Sequence, residues 1–495
     1  MAAGKLARGQ SGKKARRRKQ AVEYAAAKAI ATRASSPRLL SNLRWWHALL
    51  VLVAIKAAWL YCDAIPRLFL MDSAFYLHAA IYDWIPPDRS FTYPWLLRYL
   101  VMLWQSPYAL IVVQSLAGVA SAWLLWSVLR RRFGVGDVIA LLAAALFACD
   151  PAQVFYERMV MAEAFGGLLL MTTFAATVEY VATARIRWLV ALEVCGLAAI
   201  SLRLNLLPVV LVMGAVAPLL LFRHVDMRRM AAHLLCALIL LSGLHGAYRH
   251  FVGHAMHAAP EWSGRSGMME LGLVAPLVKP EHLAAEGFSP TVLKRVRYDL
   301  SDPRKREIQM WSDKGLNDLL GANVDANGDA LAGRIAHRAV RDDPFGLLRL
   351  GMHNLEDYFD PRQKRSRSNA DLAGNRPYRA DVQADARIVL NAWVEGTQKV
   401  ESPARLWFGF ATWWLVACWL ALPLLGALAC WRLHRNCRTA VGSVLLLYAL
   451  GLPISHFLFS PIVSYRYLHP MPAFALIALA VLVAPRLVAL EDGHA

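Results

Sequence analysis

Apolar residues in this chain come in long uninterrupted blocks separated by basic residues, not at the spacing of an amphipathic helix. Leu141–Ala148, Leu211–Phe222 and Phe474–Ala484 contain no charge at all. Blocks of this kind fit membrane spans, each needing roughly 20 apolar residues. The pattern predicts ten: about Trp45–Cys62, Pro107–Leu129, Val138–Ala148, Val160–Ala182, 188–202, 206–222, Met230–Ala247, 406–430, 440–459 and 468–485. The stretch Trp188–Phe222 is divided in two because one helix over it would be roughly 50 Å long, far beyond a bilayer core. Arg203, Asn205 and Pro208 interrupt it near the middle and mark a polar elbow.

Two long polar segments, 63–106 and 251–405, separate the spans. Segment 251–405 carries helical patterns at Ala330–Arg341 and Phe345–Phe359, broken by Pro and Gly turns, with Lys364–Arg367 read as a flexible loop. The expected fold is an all-α polytopic membrane protein with a mostly helical extracytoplasmic subdomain. Its parts are a basic cytoplasmic tail at 1–44, an N-terminal transmembrane module at 45–250 with first outer loop 63–106, the subdomain at 251–405, and C-terminal transmembrane helices at 406–490. No internal repeat is visible.

Composition agrees: 57% of the 495 residues are hydrophobic, too many for an ordinary soluble protein. The net charge of +19 is no sign of a nucleic-acid partner. Much of it lies in the first 44 residues, in the run Lys13-Lys14-Ala15-Arg16-Arg17-Arg18-Lys19, where Glu23 is the only acid. A basic tail before a first span is held in the cytoplasm by the positive-inside rule and meets anionic membrane lipids. With the tail inside, ten spans put the short Arg-rich loops 130–132, 185–187, 223–229 and 432–438 in the cytoplasm with both termini. Both long polar segments fall outside. The first span then reads as a signal anchor of an inner (plasma) membrane protein. The seven cysteines lie in or beside apolar blocks and none falls in 251–405, so no disulfide framework is expected.

Under this topology the unusual polar residues at span ends share one face. They are Asp72; Asp150, Glu157, Arg158 and Glu163; Arg203 and Asn205; and Arg466 and His469. Ionisable groups at membrane depth are costly and line sites or water cavities. Mixed acids and arginines suit a site that takes a proton and holds a phosphate. Lys56, inside the first span, is read as snorkelling outward, Glu157 as structural, and Glu163 as free to pair with Arg158.

Several stretches carry a resemblance. Met71-Asp72-Ser73-Ala74-Phe75-Tyr76-Leu77 resembles the Asp-containing motif in the first outer loop of GT-C-fold polyprenyl-phosphate-sugar glycosyltransferases, which include protein O-mannosyltransferases and the lipid A aminoarabinose transferase. Asp88-Arg89-Ser90-Phe91-Thr92-Tyr93-Pro94 is similar to their Arg-x-x-x-Tyr-Pro stretch, and Asp150-Pro151 with Glu163 to their third-to-fourth helix turn. Arg203-Leu204-Asn205-Leu206-Leu207-Pro208 resembles their elbow. Ser464-Tyr465-Arg466-Tyr467-Leu468-His469-Pro470 resembles the approach to their last helix, and Ile335–Phe359 a helical stretch before their C-terminal spans.

The resemblance implies transfer of a sugar from a polyprenyl-phosphate donor to a lipid, glycan or protein acceptor on the extracytoplasmic face, with inversion. Asp72 is the candidate base. Arg89, Arg203, Arg466 and Arg158 are candidates for the donor phosphate; Glu163, Tyr76, Tyr93, Asn205 and His469 for sugar or acceptor. No cofactor is fixed and a divalent metal is left open, with no metal ligands assigned. Asp72 lacks the second acid that mannosyltransferases carry beside it, so the sugar and acceptor stay open. An O-antigen ligase or polymerase and a lipid or sugar flippase are the alternatives. The flippase is opposed by the absent repeat and by polar residues gathered at one face. Asp325-Ala326-Asn327-Gly328-Asp329 echoes a calcium loop but lacks Gly at the sixth position and Glu at the twelfth. His245, His250, His254 and His257 read as an interfacial helix before a metal site.

Overall fold

The computed structural model describes residues 44–222, 225–321, 326–371, 378–392 and 402–487. The basic tail before Arg44, Arg223 and Asp325 lie outside them. The chain divides into two units, Met1–His47 and Ala48–Ala495. The described residues of the second unit are helical, with one isolated parallel bridge, Arg67 to Met159.

Each of the ten expected blocks is a helix. Eight are long and apolar enough to cross a membrane: α1 (Trp45–Cys62), α3 (Pro107–Arg131), α6 (Glu163–Thr183), α8 (Leu204–Leu221), α9 (Met227–Ala255), α13 (Ala411–Arg435), α14 (Thr439–Phe459) and α15 (Tyr465–Val483). Two fall short, α4 (Asp137–Ala148) and α7 (Ile186–Leu202). At 1.5 Å per residue, α4 rises only roughly 18 Å. Large apolar side chains such as Leu116, Leu142, Leu146, Val194, Leu238 and Leu424 are exposed along these helices, as a hydrocarbon solvent requires. The protein is a multi-pass membrane protein.

Local chemistry sets the ends. Ser106 accepts from the Tyr108 N–H before Pro107 starts α3. Asp150 accepts from the N–H groups of Ala152 and Gln153 and starts α5 (Pro151–Tyr156), the Ser/Asp-plus-Pro start that helices favour. At Arg203 the backbone turns extended, so α7 ends and α8 begins at the expected elbow. Inside, Phe174, Tyr448 and Phe474 from α6, α14 and α15 pack ring to ring with centroids 5.1–5.2 Å apart.

Two of the Arg-rich ends, 130–132 and 432–438, gather together. Arg132 pairs with Glu179, Arg130 with Asp137, Arg438 reaches the Phe133 carbonyl, and Arg432 those of Leu482 and Ala484. The opposite ends of α4, α6 and α15 carry Asp150, Glu163 and Ser464–His469.

Between the spans stand α2 (Leu70–Tyr82), α10 (Ser266–Val274), α11 (Ala326–Asp342) and α12 (Gly346–Phe359, then Pro361–Asp371). A separate apolar cluster, including Met268, Leu271, Leu283, Leu316, Ile335 and Ala339, holds α10 and α11 together. Asp329, part of the calcium-like run, accepts from the N–H groups of Gly267 and Met268 and so anchors the start of α10. One expectation is corrected here. Lys364–Arg367 is no loop but part of the helix Pro361–Asp371. Asp360 accepts from the Arg362 N–H, Lys364 stacks on Trp413 with its Nζ 3.2 Å from the ring centroid, and Arg367 pairs with Glu307 at 2.7 Å. Those three contacts stabilise a helix that a run of like charges alone disfavours.

Candidate active site

Asp72 sits in the first turn of α2. Ser73 fixes that turn, its Oγ accepting from the Phe69 N–H at 2.7 Å and donating to the Val160 carbonyl at 2.8 Å. Asp72 is not the helix cap: Phe69 holds that position with no side-chain bond. Its carboxylate instead lies between two arginines. Arg89 donates through Nε at 2.8 Å and lies 2.7 Å away through Nη2, both to Oδ1; Arg466 Nη1 donates to Oδ2. Burial alone would raise the Asp72 pKa, but the guanidiniums of Arg466 and Arg89 outweigh it and hold the carboxyl below its ordinary range.

Both arginines are oriented by ring faces. The Arg89 guanidinium lies 4.5 Å from the Phe75 centroid and 5.5 Å from that of Trp311; Arg466 lies 4.9 Å from both Phe69 and Tyr467. Arg466 Nη2 also donates to the Tyr467 hydroxyl at 3.0 Å. Arg89 pairs further with Asp88 at 2.5 Å, where burial first, and then the Asp72 charge, keep the Asp88 pKa up despite Arg89.

Arg203, at the elbow, faces Glu163 at 3.9 Å and donates from Nη2 to the Arg466 carbonyl at 3.1 Å. Glu163 therefore meets Arg203 and not Arg158. A Cβ on Gly166 would come within 2.6 Å of Arg203 Cδ, so only glycine lets the arginine lie along α6.

Beneath this lies a buried polar chain. Lys56 Nζ is 2.6 Å from Glu157 Oε1; Gln153 Nε2 donates to the same oxygen at 2.8 Å, and Gln153 Oε1 meets His469 Nε2 at 2.8 Å. Lys56 is thus corrected from a snorkelling residue to a buried partner, 3% exposed. Gln114 Nε2 donates to the Glu157 and Met159 carbonyls, and Tyr93 Oη to Gln114 Oε1 at 3.3 Å. Tyr76 packs edge-on against Tyr93, centroids 5.0 Å apart. Arg158 is fully buried and donates to the carbonyls of Asp63, Val154 and Trp59. It joins the span ends to one another instead of reaching the clamp around Asp72. Asn205 is exposed, its carbonyl accepting from Ser455 at 3.4 Å. Among the described residues, no three His, Cys, Asp or Glu side chains gather as a metal site.

The sequence reading missed Gln153, Gln114 and Trp311. A glutamine three positions after Asp150, in an otherwise apolar turn, was the available signal for the first. Trp311 lies more than two hundred positions from Arg89 and offered none.

Residues 88–245, less than half of the chain, match the family model described as dolichyl-phosphate-mannose-protein mannosyltransferase. That stretch contains Arg89, Tyr93, Asp150, Glu163 and Arg203, and the superfamily is the one the sequence motifs resemble. Two crystal structures of ArnT from Cupriavidus metallidurans are also similar. The form bound to undecaprenyl phosphate is 15% identical, over 89% of this chain and 78% of that one, with a TM-score of 0.31. The apo form is 16% identical over 88% and 77%, also at 0.31. Likeness at that score adds nothing to the functional reading. No curated protein sequence matches.

Proposed function

We propose that this protein is a membrane glycosyltransferase that takes a sugar from a polyprenyl-phosphate donor. The observation that carries this reading is the Arg89–Asp72–Arg466 clamp, in which two ring-stacked guanidiniums from segments 394 and 17 positions from Asp72 flank one carboxylate. Guanidiniums offer paired donors to phosphate oxygens. As the donor bond breaks, negative charge grows on the lipid phosphate, and donors already fixed by aromatic faces stabilise it without reorganising. Asp72 stays ionised in their field and takes the proton of an acceptor hydroxyl as that oxygen attacks the anomeric carbon. A base so placed contributes roughly 10²–10⁴ in rate.

The sidedness of this reaction follows from charge. Arg-rich ends cluster away from Asp72, and the positive-inside rule puts them in the cytoplasm; the site then opens to the extracytoplasmic face of the inner membrane. Segment 251–405 serves there as the outer subdomain through which Trp311 reaches Arg89.

The test is equilibrium binding of radiolabelled undecaprenyl phosphate to the purified full-length protein and to Arg466→Lys. Loss of the guanidinium fork removes charge-assisted bonds worth about 1.5–3 kcal/mol each, so the variant should bind at least tenfold more weakly. Absence of saturable binding to the wild type would refute the donor assignment.

A further inference from the structure

Three buried polar atoms on side chains around the start of α6 have no hydrogen-bond partner among the described residues: Glu163 Oε2, Arg203 Nη1 and His469 Nδ1. Their side chains are all more than nine-tenths buried. Arg203 and His469 lie over adjacent glycines near the start of α6, whose first turn carries Glu163. A Cβ on Gly166 would be 2.6 Å from Arg203 Cδ, and one on Gly167 would be 3.6 Å from His469 Cε1. Glu163 and Arg203 are 3.9 Å apart, and Arg203 holds the carbonyl of Arg466, three residues before His469. A buried polar group without a partner calls for a missing one, and three such groups around one helix turn point to a polar ligand.

The polar chain beneath decides what His469 offers. A carboxylate only accepts, so the Gln153 amide must turn Nε2 to Glu157, whose Oε1 also takes the Lys56 ammonium. Gln153 therefore presents Oε1 to His469, which must donate from Nε2. In the neutral ring that leaves Nδ1 as a lone pair. The Tyr156 ring, edge-on at 5.2 Å, holds the imidazole in this orientation.

We propose that Glu163, Arg203 and His469 form a subsite that reads neighbouring hydroxyls of the donor's sugar ring, with Lys56, Glu157 and Gln153 as positioning residues that lock His469 in its Nε2–H tautomer. The donor–acceptor count fits a diol. One hydroxyl donates to His469 Nδ1, its neighbour donates to Glu163 Oε2, and Arg203 Nη1 donates to a hydroxyl oxygen. The assignment rests on the polyprenyl-phosphate reading above and adds which residues touch the sugar.

The experiment compares wild type with His469→Gln, whose amide nitrogen keeps the bond to Gln153 while removing the Nδ1 lone pair. Binding is measured for bare undecaprenyl phosphate and for the same lipid charged with a panel of hexoses and pentoses. The wild type should bind at least one charged lipid more tightly than the bare one. His469→Gln should reduce that gain about tenfold, with bare-lipid affinity unchanged, which also shows that the variant is folded. Equal binding of bare and charged lipids by the wild type, or a parallel loss of both in the variant, overturns the subsite. Failure of the wild type to bind the bare lipid instead refutes the donor reading itself. Nitrogen-15 histidine spectra of the full chain give a second readout: the resonances lost in His469→Gln should be those of a neutral Nε2–H ring. Loss of Nδ1–H or imidazolium signals contradicts the lock.

Discussion

Burial and two guanidiniums act on the Asp72 carboxyl in opposite directions. Burial of a carboxylate raises its pKa, two adjacent guanidiniums lower it, and the net direction is down. A folded-state pKa below the unfolded value of about 3.9 means the clamp contributes stability throughout the range above that value. It is lost only as pH falls through the folded pKa. The rate of sugar transfer from a charged lipid, whose phosphodiester does not titrate in this range, should therefore show no acid limb between pH 7 and pH 5. A limb in that window that disappears in Asp72→Glu would contradict the assignment. Asp72 and Arg466 were legible in sequence as charges near the ends of apolar blocks, where charge is costly, and Arg89 through the Arg-x-x-x-Tyr-Pro resemblance alone. The partnership was not, since Arg466 lies 394 positions from Asp72 and only the helix order brings them together. Arg158 shows the converse. A buried arginine looks the same in sequence whether it waits for a phosphate or, as here, donates to three backbone carbonyls.

At the level of elements, the turn from α4 through α5 to α6 carries a run of buried polar side chains, Asp150, Gln153, Glu157, Arg158 and Glu163. Asp150 caps α5, takes the Trp414 indole N–H at 2.6 Å, and has its pKa pushed up by burial to about 6. The raised folded value means stability is greatest below about pH 4 and is lost as pH rises through 6. Asp150→Asn keeps the cap and should flatten the thermal midpoint between pH 4 and 7; an unchanged slope would place the titrating group elsewhere. Lys56→Met strands the Glu157 carboxylate in the interior and should cost about 3–5 kcal/mol, with much of the loss recovered in Lys56→Met/Glu157→Gln. Thermal unfolding in detergent reads both. A merely snorkelling Lys56 would show neither effect. The apolar pattern located α1 and missed the short α5, and it does not say which face of α1 meets Glu157. That is why a lysine amid leucines read as lipid-facing. The stretch Lys364–Arg367 read as a loop for a related reason, because the caps and the Trp413 face that hold its helix lie outside the local sequence.

For the molecule as a whole, ten apolar blocks, an elbow at Arg203 and gathered Arg-rich ends were visible in the hydropathy and charge pattern, since the bilayer dictates both. The cluster joining α10 and α11, and Trp311 over Arg89, depend on long-range packing that no periodicity encodes. The proposed sidedness predicts that reporters fused after Arg132 or Arg229 are cytoplasmic and that one within 280–330 is external; a cytoplasmic signal from 280–330 would invert the site. The central claim is met most directly by transfer itself. Purified wild type and Asp72→Asn, in lipid, are given a panel of radiolabelled polyprenyl-phosphate sugars together with envelope lipid, glycan and protein acceptors. The wild type should move label from at least one donor, and Asp72→Asn should bind that donor normally yet transfer roughly 10²–10⁴ more slowly. Transfer by the Asn variant at the wild-type rate, or release of no label by the wild type from any donor, would contradict the account.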